Sequence, residues 1–398
     1  MSKQMQDAYI VASTRTAVGK APRGAYKSTR PDTLLAHVLA SVLAQVPSID
    51  PKRVEDVIVG CAMPEYEQGM NVARIGLLLA GLPSSVAGMT INRFCSSGLN
   101  AVSIAADRIR TGEADIMIAA GTESMSMIPM LGRLAMNEAV FAKGENVGIA
   151  YGMGITAENV AAQWKVSRQD QDEFALASHR KALAAQAAGE FNAEISPITV
   201  HENLPDLRAD TIVTTSREIA RDEGPRADTS AEGLAKLRPV FAAKGSVTAG
   251  NSSQMSDGAG ASILVSERVL KELNLTPLAR WVGFAVGGVP PEIMGVGPIA
   301  AIPKVLASTG LKQEQIDWIE LNEAFAAQAL AVVKELGIDP AKVNPLGGAI
   351  ALGHPLGATG AVRTATITHG LKRRKQKYGM VTMCIGTGMG AAGIIERI

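Results

Sequence analysis

The same local plan occurs twice in this chain, and it constrains the fold more than any other feature. Each time a reactive side chain stands between a short predicted strand and a helix entered through glycine, and that helix leads to an apolar strand closed by glycine. In the first copy Cys95 precedes a predicted helix over 96–110, with Leu99, Val102, Ala106 and Ile109 on one face and Gly112 as its stop. The strand 116–120 follows and ends at Gly121, and an upstream strand is read at 57–59. In the second copy a strand at 347–350 precedes His354, a helix covers 357–371, and a strand at 380–384 ends at Gly386. Flanking segments extend the pattern: a helix over 34–46 capped by Asp32 or Thr33, a strand over 316–321 and a helix over 323–336. Alternating strands and helices predict an α/β protein with a largely parallel sheet covered on both faces.

The two copies are separated by residues 126–248, where the composition turns polar. Here lie His179, His201, a charged helix over 167–189 and a polar stretch over 201–226. We read this as an inserted, more exposed domain. The first half then comprises 1–125 plus 249–272, and the second 273–398. A chain of 398 residues is long enough for such an arrangement.

Composition excludes several classes. Charged residues make up 19% and net charge is +1, so no global field favours nucleic acid or a membrane surface. No apolar run approaches about 18 residues, which argues against a membrane span. The polar start lacks the zones of a signal peptide, and the end carries no receptor-read address. Three cysteines (Cys61, Cys95, Cys384) without a C-x-x-C pair speak against a disulfide framework or a metal site and for reduced thiols in the cytoplasm.

Four residues could carry chemistry. Cys95, in Asn92-Arg93-Phe94-Cys95-Ser96-Ser97-Gly98, stands at a helix start, where free N–H groups favour a thiolate and would bind an oxyanion. His354, among glycines and before Pro355, is the natural base for a cysteine nucleophile if its pKa lies near operating pH. Cys384 could exchange a proton at carbon, and the following Gly386-x-Gly388-x-Gly390 exposes backbone N–H groups without a helix to complete a phosphate cradle. Asn322 alone reads as a helix cap. His37, His179, His201 and His369 fall on predicted helices or polar loops and are assigned no role.

Segments 92–98, 121–127, 156–160, 247–253, 257–259, 322–328, 347–360 and 384–390 together resemble the thiolase family, in family order over nearly the whole length. The resemblance implies a duplicated five-layer α-β-α-β-α thiolase fold with an inserted loop domain. It implies Cys95 as acyl-accepting nucleophile, His354 as its base and Cys384 as the acid/base at the acetyl-CoA carbon. Asn322 (through a water) with His354, and the N–H groups of Cys95 and Gly386, would form two oxyanion holes. Coenzyme A enters as co-substrate, with no metal or redox cofactor. Ser253, Ala249, Met153, Met294 and Phe325 are expected along the pantetheine and acyl channel. Arg226 either meets the nucleotide or is a solvated surface arginine.

Short-chain biosynthetic members carry histidine where this chain has Gly152, and their tetramer-forming loop is longer than 124–154 here. The resemblance is therefore to the fatty-acid-degrading 3-ketoacyl-CoA branch (β-oxidation), with a short-chain acetoacetyl-CoA enzyme run in the condensing direction as the alternative. A homodimer is expected, with a tetramer as alternative and association with other β-oxidation enzymes as a further partner. Rival readings are a ketosynthase, which would lack Cys384, a Cys-His hydrolase, which leaves Cys384 and Ser253 idle, and a non-catalytic lipid binder, expected to lose one of the three reactive residues.

Overall fold

A computed structural model of the chain describes residues 5–130 and 135–398. Residues 1–4, in the polar start, and 131–134, in the short 124–154 segment, lie outside the described residues. The first half contains β1 (Ala8–Arg15), β2 (Gly19–Lys20), α1 (Pro31–Ala44), β3 (Asp56–Gly60), α2 (Val72–Leu79), β4 (Ala87–Ile91), α3 (Ser97–Arg110) and β5 (Ile116–Ser124). Next come α4 (Met153–Gln163), α5 (Arg168–Ala187), the hairpin β6 (Ile198–Asp206) and β7 (Thr211–Ile219), and α6 (Ala231–Ala235). The chain returns through β8 (Ser256–Ser266) and α7 (Glu267–Glu272). The second half holds β9 (Ala279–Gly288), α8 (Gly297–Thr309), β10 (Trp318–Leu321), α9 (Ala326–Glu335), α10 (Ala349–Leu352), α11 (Leu356–Arg374), β11 (Tyr378–Ile385) and β12 (Met389–Glu396).

The duplication read from the sequence is written into the strand order. In the first half the order is β4-β3-β5-β8-β1, with β4, β3 and β5 parallel and β8 antiparallel to both β5 and β1. In the second it is β10-β11-β12-β9, with β10 and β11 parallel and β12 antiparallel to β11 and β9. A parallel bridge from Val343 to Ile319 stands where β4 stands in the first half. The halves join where Tyr9 and Ile10 of β1 pair with Arg280 and Ala279 of β9.

Helices α3 and α11 lie between the two half-sheets, α1 and α2 cover one outer face, and α8 and α9 the other, giving five layers. The strand period of two explains how. Along β5, Ile116, Ile118 and Ala120 face α1 and α2, while Met117 and Ala119 face the central layer. With both faces buried, β5 reads as an unbroken apolar run rather than an alternating one. The central helices almost touch: a Cβ at Gly98 would lie 2.6 Å from the Ala361 nitrogen, and one at Gly360 only 2.1 Å from the Leu99 nitrogen. Those glycines let α3 and α11, and so Cys95 and His354 at their entrances, converge.

Several local expectations fail for identifiable reasons. The sheet is mixed rather than largely parallel, because β8 and β12 run against their neighbours. The predicted strand at 347–350 is instead the loop into helical turn α10; Gly347 has φ 84° and Glu323 takes the Ile350 N–H at 3.2 Å, which closes a turn. Neither Asp32 nor Thr33 caps α1: the helix starts at Pro31 after Arg30, and the Asp32 carboxylate pairs with Arg30 at 2.8 Å. His201 lies on β6, not in a loop.

The inserted segment is anchored by buried charge. Arg15 of β1 donates to Glu194 at 2.7 Å and, bidentately, to Asp222 at 2.7 and 3.0 Å, with all three side chains almost fully buried. Asp222 also accepts the Val18 N–H at 2.7 Å, and Glu194 the Thr366 hydroxyl at 2.7 Å.

Candidate active site

Cys95 sits on a strained turn. Phe94 has φ 44°, a conformation that a bulky residue adopts only when its surroundings impose it. They do so here: Asn92 Oδ1 accepts the Phe94 N–H at 2.8 Å, while the Ser97 hydroxyl accepts the Arg93 N–H at 2.8 Å and donates to the Phe94 carbonyl at 2.7 Å. The turn aims Cys95 away from α3 and into the space between the halves. Gly386 lies against the Phe94 ring, and its N–H and the N–H of Cys95 itself both favour the thiolate. Gly386 follows β11 directly, and Thr387 (φ 71°) and Gly388 (φ 93°) then turn the chain into β12. That hairpin, absent from the sequence reading, fixes the Gly386 N–H.

His354 arrives from the other half. Gly353 (φ 93°) swings the chain out of α10, and the His354 N–H is taken by the Ser256 hydroxyl at 3.0 Å and the Gln254 carbonyl at 3.3 Å. Thr359 Oγ1 lies 2.6 Å from Nδ1, and Asn322 Nδ2 lies 3.3 Å from Nε2. Asn322 does not cap α9, whose capping position is Phe325. Its N–H goes to the Thr382 carbonyl at 2.9 Å, and its Oδ1 is buried without a protein partner. Such a group is suited to a hydrogen bond supplied by substrate or solvent.

Electrostatics correct two expectations. Burial pushes the Cys95 thiol up to about 12, outweighing the two N–H groups and reinforced by the buried Glu123 carboxylate. The helix start therefore does not suffice to make a thiolate. Burial, then the nearby Arg363 cation, pushes the His354 imidazole down to about 3, far from operating pH. Cys384 is raised well above an ordinary thiol, by burial and by the neighbouring Cys95. All three groups are buried and rest neutral.

Cys384 lies in one apolar cluster with Met153, Met294, Ala324 and Phe325. Three of the expected channel residues thus lie together beside it. Ser253 is half-buried, its N–H bound to the Ala324 carbonyl at 2.9 Å, and Ala249 is exposed. Arg226 is exposed and paired with Asp228 at 3.2 Å, and it forms no hydrogen bond or ion pair with Cys95, His354 or Cys384. Cys61, the third thiol, faces Glu123 at 3.9 Å.

Three residues escaped the sequence reading. Phe241 meets Phe325 edge-on with centroids 6.0 Å apart, and its ring fills the space a Cβ on Gly154 would need. Glu123 is buried and takes the N–H groups of Ala62 (2.8 Å), Met63 (3.2 Å) and Gly357 (2.8 Å), and the Gln68 amide, tying the start of α11 to the 61–63 loop. Glu323, beside Asn322, gathers the donors of Ser178, Asn344 and Ile350. A carboxylate closing an apolar strand was the available signal for both acids.

Comparison with known proteins identifies the family and the fold. Residues 8–268 match the family description "Thiolase, N-terminal domain" and residues 275–397 match "Thiolase, C-terminal domain". A Bacillus subtilis protein named 3-ketoacyl-CoA thiolase is 48% identical over 98% of this chain and 100% of its own length. A human protein named peroxisomal 3-ketoacyl-CoA thiolase is 47% identical over 98% of this chain and 91% of its own. The crystal structure of the dimeric peroxisomal thiolase of Saccharomyces cerevisiae superposes with a TM-score of 0.89 at 45% identity, covering 99% of this chain and 98% of that one. That of the Bacillus anthracis acetyl-CoA acetyltransferase does so with a TM-score of 0.90 at 41% identity, each chain being fully covered.

Proposed function

Because the chain belongs to the thiolase family, we infer its chemistry from that premise: it is an acyltransferase, a 3-ketoacyl-CoA thiolase that cleaves 3-ketoacyl-CoA with coenzyme A to acetyl-CoA and a shortened acyl-CoA. The observation that carries the residue assignment is that Gly386, two residues beyond Cys384 in the second half, lies against Phe94, the neighbour of Cys95 in the first, where its N–H acts on the Cys95 thiol. With the thiol near 12 and the imidazole near 3, a free thiolate is hardly populated. Proton transfer from Cys95 to His354 therefore accompanies attack on the 3-keto carbon, and the N–H groups of Cys95 and Gly386 serve the substrate oxygen. The C2–C3 bond breaks with its electrons on C2, which takes the Cys384 proton. The imidazolium returns its proton to Cys384. His354 then accepts the proton of the incoming coenzyme A thiol, which removes the acyl group from Cys95, and the imidazolium returns that proton to the departing Cys95 thiolate. A water held by Asn322, together with His354 Nε2, stabilises the thioester oxygen of the acetyl-CoA enolate. Protein groups and coenzyme A serve every step.

Coenzyme A contacts are proposed at Ser253, Ala249 and Arg226, the last if its exposed pair with Asp228 opens toward phosphate. A homodimer is supported by β4, which forms a sheet edge beside α2 with Met89, Leu78 and Leu79 exposed. No helix among the described residues is long and apolar enough to cross a membrane. Buried, unpaired thiols support a cytoplasmic location.

A chain-length preference is proposed from Gly152, which is exposed beside the cluster around Cys384. It precedes α4, next to Met153 of the Cys384 cluster, and a Cβ there would meet nothing within 4 Å. Each buried methylene is worth about 0.8 kcal/mol in an apolar channel. We expect kcat/KM for thiolysis to rise from acetoacetyl-CoA to medium-chain 3-ketoacyl-CoA, and Gly152→His to cut the medium-chain value while sparing acetoacetyl-CoA. A steep preference of the unaltered enzyme for acetoacetyl-CoA would move it to the short-chain reading.

A further inference from the structure

The loop carrying His354 and the turn carrying Asn322 belong to the second half, yet a side chain of the inserted segment lies between them. Ser178, on α5, donates its hydroxyl to Glu323 Oε2 at 2.7 Å and accepts the Gly348 N–H at 3.0 Å. Glu323 follows Asn322 directly, takes the Asn344 amide at 2.8 Å and the Ile350 N–H at 3.2 Å, and is buried together with Ser178 and Asn344. Gly348 has no space for a side chain, since a Cβ would fall 2.1 Å from the Glu323 carboxyl carbon. One hydroxyl thus closes a ring that fixes the Asn322 turn against the 347–354 loop. The next residue of the same helix, His179, takes the Arg226 N–H at 3.2 Å, so α5 is also tied to the segment proposed to meet coenzyme A.

We propose that Ser178 is a positioning residue: through Glu323 and Gly348 it holds Asn322 and His354 in their reactive placement, and it makes that placement depend on how the inserted segment is seated. The inference rests on the thiolase reading for its chemistry. It needs no contact between Ser178 and substrate. A hydroxyl is the one small group that donates to a carboxylate and accepts an N–H at once. Alanine breaks both links, leaving the buried Glu323 with one donor fewer and the Gly348 N–H with none of its own.

The test is Ser178→Ala in the full chain, with steady-state thiolysis of a 3-ketoacyl-CoA and stopped-flow acylation by acetyl-CoA. Displacing a reacting group by a fraction of an ångström to about 1 Å costs on the order of 10- to 100-fold. We expect kcat and the acylation rate to fall by about that factor with KM within about twofold, since binding groups are untouched. A folded variant with unchanged kcat would overturn the proposal, as would a loss seen only in KM. If alanine prevents folding, Ser178→Cys, which still fills the site but with a larger atom that donates weakly, is expected to give the same kcat loss; wild-type kcat in it would also overturn the idea. Absence of thiolysis by the unaltered enzyme would instead strike the thiolase reading.

Discussion

Replacing Cys384 by alanine is expected to lower thiolysis of 3-ketoacyl-CoA by about 10²- to 10⁴-fold, the range of a positioned general acid or base. Acylation of Cys95 by acetyl-CoA should survive. The two thiols differ in what they face: Cys95 meets the Gly386 N–H, whereas Cys384 lies in the apolar cluster with Met153, Met294 and Phe325 and has no polar side-chain partner among the described residues. Both thiols are neutral, so what separates them is the N–H of Gly386 that favours a thiolate at Cys95 and has no counterpart at Cys384. Hydrogen–deuterium exchange at the acetyl-CoA methyl separates the roles, because it needs the carbon acid but no C–C cleavage. Exchange should vanish in Cys384→Ala. Exchange at the unaltered rate would assign the proton to another group.

The second large effect is on stability. Arg15→Met should destabilise the protein by about 3–5 kcal/mol, because it strands Glu194 and Asp222, both buried, without their shared cation. Asp222 keeps the Val18 N–H and Glu194 the Thr366 hydroxyl, but neither replaces a guanidinium. The loss should appear first as loosening of the inserted segment, seen as faster proteolysis between 190 and 226, with a lower Tm. An unchanged Tm would mean that the triad contributes specificity without net stability. Both outcomes are read by thermal denaturation, and the first is expected.

Much of this was legible from residue types, for physical reasons. Apolar stripes at helical spacing located α1 and α3 within a few residues, because burial on one face forces that spacing, and α11 was read from its glycine entry. Glycine entry to the two helices was read from the sequence, and the structure shows backbone of α3 against α11 at Gly98 and Gly360. Strand direction was not legible: β8 and β12 carry the same apolar alternation whether parallel or antiparallel, so the sheet was misread. The 347–350 segment looked like a strand because Ala349 and Ile350 are buried. Partners distant in sequence, the Glu323 carboxylate and the Ser178 hydroxyl, favour the helical turn there. Protonation states were the least legible. Sequence placed Cys95 at a helix start, which favours a thiolate. Only burial from the second half and Glu123 reverse that preference. Phe241 lay in a stretch without periodicity, so nothing marked it as a neighbour of Phe325.

The central claim is that Cys95, and neither other thiol, carries the acyl group. Intact-mass and peptide mass spectrometry of the enzyme after brief exposure to acetyl-CoA, quenched at low pH, tests it directly. The account predicts a single acetyl group on the peptide bearing Cys95, absent in Cys95→Ser, which should remain folded with its Tm nearly unchanged. Acetyl on Cys61 or Cys384 with Cys95 unmodified would contradict it.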